Sequence, residues 1–234
     1  MKRFYKDVSV GPADSGFAVL LDGKPIKTPG RAMLVLPTEN LAAAIAREWQ
    51  AQGEAIVATT MPLLRLANTV VDGVAANRAG VIDAILRFGE NDLLCYRAHQ
   101  PPELVVRQRA GWDPLLDWVR QRHGAHMKVA EGMAHIDQTL DALLALRQAM
   151  EEFGPFTLGA LHVIASITGS VVLALAVAAR FITGENAFAL SRIDEIYQAE
   201  KWGEDAEAAK RATALGHELD KAVELMTAVR QESN

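Results

Sequence analysis

A run without a single Asp, Glu, Lys or Arg sets the tightest limit on this fold. It extends from Phe156 to Ala179, "FTLGALHVIASITGSVVLALAVAA". It is long enough to match the ~20 residues of a bilayer-crossing helix. Gly169-Ser170 divides it near the middle, and serine is a good N-cap for a second helix. Thr157, His162, Ser166 and Thr168 reduce its apolarity further. The expectation is therefore a buried helical hairpin or a kinked core helix, with no membrane insertion. Such a segment needs a large surrounding core. A chain of 234 residues is long enough to build one, as one large domain or two small ones.

Charge narrows the partners. The formal net charge is −5, and no dense basic face is visible. Phosphate backbones need such a face, so nucleic acid is not expected as a partner. The lone cysteine, Cys95, allows no internal disulfide and no paired-cysteine metal site. A reducing compartment follows. "MKRFYKDVSV" opens the chain without a secretory h-region or an Arg/Ser-rich import leader. The expected location is a bacterial cytoplasm, or the mitochondrial matrix for a processed organelle protein.

Along the chain, β-like runs come first: "RFYKDVSV", "GFAVLLD", "KPIKTP" and "AMLVLP". Turn signals separate them at Gly11-Pro12, Asp22-Gly23 and Pro29-Gly30. Asp22-Gly23 suits a tight type I′ hairpin, which needs two left-handed residues. Thr38 caps a helix whose Leu41, Ile45 and Trp49 form one apolar stripe, and Gly53 is its expected stop. Trp49 is read as a structural packing residue. "EAIVATT" reads as a further strand, and Pro62 opens the next helix. From there the periodicity is helical. Pro114 kinks or restarts a helix that holds Trp112 and Trp118, and Asp137 caps a later one. "AHMKVAEG" (126–131 at its core) is β-like and is expected to return to the N-terminal sheet. In the last helix Leu215, Leu219, Ala222, Met226 and Val229 share a face. The predicted class is α+β. A small N-terminal α/β domain, residues 1–62, carries a mostly antiparallel sheet, and a larger C-terminal helical bundle covers residues 63–234.

Catalytic signatures are missing. No HExxH, GxGxxG, Walker or GxSxG pattern occurs. His162 lies in the most apolar helix and reads as a core histidine, while Cys95 in "LLCYRA" reads as a buried thiol. No cofactor and no metal are expected. The opposing reading is a small-molecule enzyme whose site lies between the two domains and draws on His162 or Cys95.

The segment from Asn186 to Trp202 is more informative. At about 100° per residue, Ala189, Leu190, Ile193, Ile196 and Tyr197 form a core face. Phe188, Glu195 and Trp202, spaced by seven, fall on the opposite side. Either neighbours bury both faces, or the second stripe is exposed and grips a protein partner. Asp194 lies at the edge of the core face beside Lys201. Glu200 falls among the core residues by angle, so it either reaches out or needs a partner.

"KRFYKDVSV", "LDGKPIKTPGR", "LAAAIAREWQAQ", "MPLLRLANTVVDGV", "NDLLCYRA", "WDPLLDWV" and "YQAEKWGEDAEA" occur in this order between Lys2 and Ala209. Together they resemble the Atp-twelve family, assembly chaperones of the catalytic head of the rotary ATP synthase. The resemblance implies a non-enzymatic chaperone, and a monomer is expected. It implies binding of the free, unassembled alpha subunit, shielding a surface that the beta subunit later covers. It also implies a functional acid at Asp194, with Glu195 beside it; joined to the stripe of Phe188, Glu195 and Trp202 read from the helical projection, the expected partner-binding set is Asp194, Glu195, Trp202 and Phe188. The family tryptophan of its first helix falls on Trp49. Leu64 departs from the threonine expected after "MPL".

Overall fold

The computed structural model describes residues 1–132 and 135–230. The chain gathers into two compact units. One comprises residues 1–78, 155–160 and 221–234, and the other residues 79–154 and 161–220.

The first unit begins with β1 (Val8–Ala13), β2 (Gly16–Leu21) and β3 (Lys24–Pro25), an antiparallel sheet in the order β1-β2-β3. Asp22 and Gly23 turn the second hairpin at φ 48° and 77°, the left-handed pair expected of a type I′ turn. The first hairpin turns elsewhere than expected. Gly11-Pro12 is not a turn but part of β1, and the chain reverses between Ala13 and Gly16. β1 is an edge strand, and an edge tolerates a proline that cannot donate to a ladder. "AMLVLP" contributes only single bridges, Phe17 to Leu36 and Lys27 to Met33. The strand expected at "EAIVATT" is likewise reduced to one bridge, Lys2 to Ala55, followed by a 3-10 turn over Ala58–Thr60.

Helix α1 (Glu39–Gln50) packs on β1 and β2. Thr38 caps it by accepting from the Leu41 N–H, and the helix ends at Ala51, two residues before Gly53. Leu41, Ile45 and Trp49 are buried as one stripe. Helix α2 (Pro62–Thr69) has no capping side chain of its own. Glu48 of α1 does that work: its two carboxylate oxygens accept from the Leu63 and Leu64 N–H groups at 2.8 and 2.9 Å. Burial pushes the Glu48 carboxyl above its ordinary pKa while these donors oppose the shift. We predict that Glu48→Ala costs about 1–2 kcal/mol, the worth of a helix cap with charge-assisted bonds. Urea unfolding checks this, and an unchanged midpoint refutes it. After α2 the backbone widens into one π-turn, Val70–Val74. There Asp72 accepts from the Thr28 hydroxyl and the Gly30 N–H.

The second unit is helical around a small parallel pair. It holds α3 (Arg78–Glu90, from Ala79 on), β4 (Tyr96–Arg97), α4 (Pro102–His123), β5 (Ala130–Glu131) and α5 (Leu140–Glu151). β5 pairs with β4, so the 126–131 segment does not return to the N-terminal sheet. Two registered residues on each strand, Tyr96 to Ala130 and Arg97 to Glu131, fix that pairing. α4 runs unbroken through Pro114. α5 is capped by Thr139, which accepts from the Ala142 N–H, rather than by Asp137.

The charge-free stretch forms α6 (Pro155–Thr168) and α7 (Val171–Ala178). Gly169 is left-handed at φ 67°, and the Ser170 hydroxyl accepts from the Leu173 N–H. Every residue of α7 is buried, as a helix apolar on all sides must be. Among the described residues no helix is long and apolar enough to cross a membrane. Asp92 fastens the start of α7. Wholly buried, its carboxylate accepts from the Leu94 N–H at 3.0 Å and the Val172 N–H at 3.1 Å. Three helices complete the described chain: α8 (Gly184–Ser191), α9 (Ile193–Trp202) and α10 (Ala206–Ala228).

Candidate functional site

The helix expected over 186–202 is two helices, α8 and α9, broken at Arg192 (φ −118°, ψ 20°). Hydrogen bonding explains the break. The Ser191 hydroxyl donates to the Phe188 carbonyl at 2.8 Å, and the Trp112 indole N–H donates to the Leu190 carbonyl at 2.8 Å. Carbonyls that lose helical partners at the junction are satisfied this way. Gly111 lets α4 come close here. A Cβ on it would lie 2.8 Å from Leu190 Cδ2 and 3.0 Å from Ile193 Cδ1.

The two sides of α9 then serve different ends. Its inner side binds α4 through polar contacts. Gln108, buried in α4, donates to Asp194 at 2.7 Å and accepts from the Ala98 N–H at 2.8 Å. Lys201 pairs with Glu103 at 2.8 Å, and Glu200 reaches out to Arg107 at 2.8 Å. The Lys201 ammonium holds the Glu103 carboxyl below its usual range. Tyr197 is buried on this side. Ala189 and Ile196, placed on the core face by the angular projection, are exposed instead. The break at Arg192 rotates each short helix away from a common phase.

The outer side of α9 faces a groove of about 950 Å³. Phe188, Glu195 and Trp202 all line it, so the structure brings these three expected residues together. Trp202 is 77% exposed. Gly203 stops α9 beside it at φ 95°, a value that favours glycine. The Arg192 guanidinium lies 5.4 Å from the Phe188 ring centroid, a cation–π contact. Asp194 is placed apart, turned to Gln108 and not toward the groove.

Helix α10 supplies the floor, with Ala208, Ala212 and Gly216 in one row at steps of four. The Phe188 ring comes so close that a Cβ on Gly216 would lie 3.4 Å from it. Glu195, Glu204, Asp205 and Asp220 line the groove with the Arg192 guanidinium, while Glu200, also in its lining, is paired with Arg107, so the field is negative. Sequence reasoning missed this floor. Its signal was the alanine and glycine row, which an apolar-face search passes over.

The other expected residues lie elsewhere. Trp49 packs edge-on to Tyr5, with ring centroids 5.5 Å apart, and its carbonyl accepts from the Tyr5 hydroxyl. Cys95 is fully buried, and burial, reinforced by the nearby Asp92 charge, pushes its thiol up to about 12. Such a thiol is not a nucleophile at neutral pH. His162 is half-buried, and burial lowers its pKa.

Comparison with known proteins agrees with this architecture. Residues 2–120 match the family described as ATP12 chaperone protein. The chain is similar to the protein atp12, mitochondrial, of Schizosaccharomyces pombe. Identity is 24% over 219 residues, covering 88% of this chain and 75% of the relative. It is also similar to the crystal structure of Atp12 from Paracoccus denitrificans, 41% identical with a TM-score of 0.94 over 98% of each chain. The Atu1473 protein of Agrobacterium tumefaciens superposes with a TM-score of 0.94 at 43% identity, over 98% of this chain and 86% of that one. With one family spanning half of the sequence and a solved relative superposing over nearly all of it, the chain belongs to the ATP12 chaperone family.

Proposed function

We propose that this protein is a non-catalytic chaperone that binds the unassembled alpha subunit of the ATP synthase catalytic head. It covers the surface that the beta subunit takes later. The observation that carries this reading is Trp202, an indole left 77% exposed at the wall of an acid-lined groove. A large apolar ring in water is costly unless something covers it, and tryptophan is prominent among residues that dominate interfaces. The client supplies the matching need, because a subunit awaiting its neighbour exposes an interface prone to aggregate. Release to the beta subunit requires an interface weaker than the one that replaces it. A groove with few anchors suits that requirement.

The test mixes this protein with isolated alpha subunit and with assembled head on a sizing column. A complex is expected with the first and none with the second. Trp202→Ala is expected to weaken the complex by about tenfold to a hundredfold, the effect of removing an aromatic anchor. Being a surface change, it should leave stability within about 0.5 kcal/mol. An alpha subunit that never co-elutes with the wild-type protein defeats the proposal.

A further inference from the structure

We propose that the α8–α10 groove seats a short amphipathic helix bearing arginine or lysine, about two turns of it. This rests on the reading of the groove as the client-binding surface. It names the kind of client element that the groove selects.

Shape argues for a helix. Ala208, Ala212 and Gly216 form an i, i+4 row on α10, a shallow furrow at Ala208 and Ala212 that the Phe188 ring closes at Gly216. Helices pack by seating one i±4 ridge in another's groove, and small residues bring their axes to the near end of the usual 8–10 Å. Phe188 and Trp202 stand as apolar walls. The floor row from Ala208 to Gly216 rises about 12 Å along α10, the length of about two turns of a helix laid beside it. A peptide added as a β-strand would need an open sheet edge for its backbone groups. Three helices build this groove and offer no such edge. A helix satisfies its own backbone and needs none.

Charge argues for a basic one. Glu195 and Glu204 are exposed beside α9, and Asp220 is exposed at the far end of the floor row. A second copy of this chain would set the same acids against themselves, so self-association through this face is disfavoured. A helix with a leucine-type face and one or two basic side chains meets both the walls and the rim.

The experiment uses the full chain and three synthetic peptides of roughly 18 residues, long enough for appreciable helix. The first is a Leu/Ala/Arg amphipathic helix. The second has the same pattern with two central prolines, and the third replaces each Arg by Glu. Binding is followed by calorimetry and by protection of Trp202 emission from iodide quenching. The basic helix should bind and shield Trp202, with the proline and acidic peptides at least about tenfold weaker. Ala212→Leu fills the floor with a good helix former, so the fold persists while affinity for the basic helix falls about tenfold. Thermal unfolding verifies the fold of that variant. Equal binding by the proline or acidic peptide, no binding by the basic one, or an indifferent Ala212→Leu variant each overturns the proposal. The outcomes separate the two readings. Peptide binding without alpha-subunit binding leaves the groove's preference standing and removes the client. Alpha-subunit binding that ignores both Ala212→Leu and the peptides keeps the client and removes the helix.

Discussion

Replacing Asp92 by alanine should cost about 3–5 kcal/mol. The substitution strands the Leu94 and Val172 N–H groups around a fully buried position, and each buried donor left unpaired costs about 1–3 kcal/mol. It also removes the acceptor of the Ser170 hydroxyl, whose oxygen caps α7. Thermal unfolding should show a midpoint lower by roughly 10 °C, given about 2–4 °C per kcal/mol at this size. A shift under about 2 °C would refute the role. Asp92→Asn should cost less, since its amide keeps one acceptor but turns a donor toward a donor.

The pH dependence gives a second signature. Burial raises the Asp92 carboxyl from 3.8 to about 6, against the pull of its hydrogen bonds. Between those values the folded chain holds more proton than the unfolded one. This group's contribution to stability therefore falls as pH rises from about 4 to about 6, and is level above that. The drop is on the order of 3 kcal/mol. Asp92→Asn should flatten that slope. Denaturant titrations at several pH values compare the two proteins.

Trp112→Ala is expected to be as severe, at about 3–5 kcal/mol for a fully buried tryptophan. Three losses coincide. A large cavity opens in α4, the Leu190 carbonyl loses its donor, and the Arg97 guanidinium, 5.1 Å from the ring centroid, loses its aromatic face. Trp112→Phe keeps much of the volume but not the indole N–H, so it isolates the bond to Leu190 at about 1–2 kcal/mol. Because that bond holds the α8–α9 break, Trp112→Phe should also weaken client binding while the chain stays folded. Urea unfolding and the sizing-column assay measure both effects. Client affinity unchanged in Trp112→Phe would show that the junction does not shape the groove.

Local signals were the more readable part of this sequence, although Thr139 and not Asp137 caps α5 and α1 ends at Ala51 before Gly53. Asp22-Gly23, Thr38, Ser170 and Gly203 act through their own backbone or the next turn, and each does so in the structure. Signals that depend on surroundings failed. Gly11-Pro12 looks like a turn until β1 is known to be an edge strand. "EAIVATT" has β composition but finds only one bridging residue, Ala55. At the site, seven-residue spacing brought Phe188, Glu195 and Trp202 to one groove even though the helix breaks between the first two. The break itself was illegible, because the Trp112 indole that stabilises it comes from 78 residues away. Asp194 was hidden in the same way, since its donor Gln108 lies 86 residues distant. The helical class and the small antiparallel sheet needed no such distant information.

The groove has a further property: all of its lining lies between Phe188 and Asp220. Surfaces drawn from one uninterrupted stretch have low contact order and close few loops in forming. If the groove is the client surface proposed above, it can be retuned by changes in a single short segment of the gene. Of the polar seam to α4, only Glu200 is shared with the groove lining, so Asp194, Tyr197 and Lys201 would stay intact under changes elsewhere in the groove. Selection could then track a drifting client one substitution at a time without unsettling the scaffold that holds it.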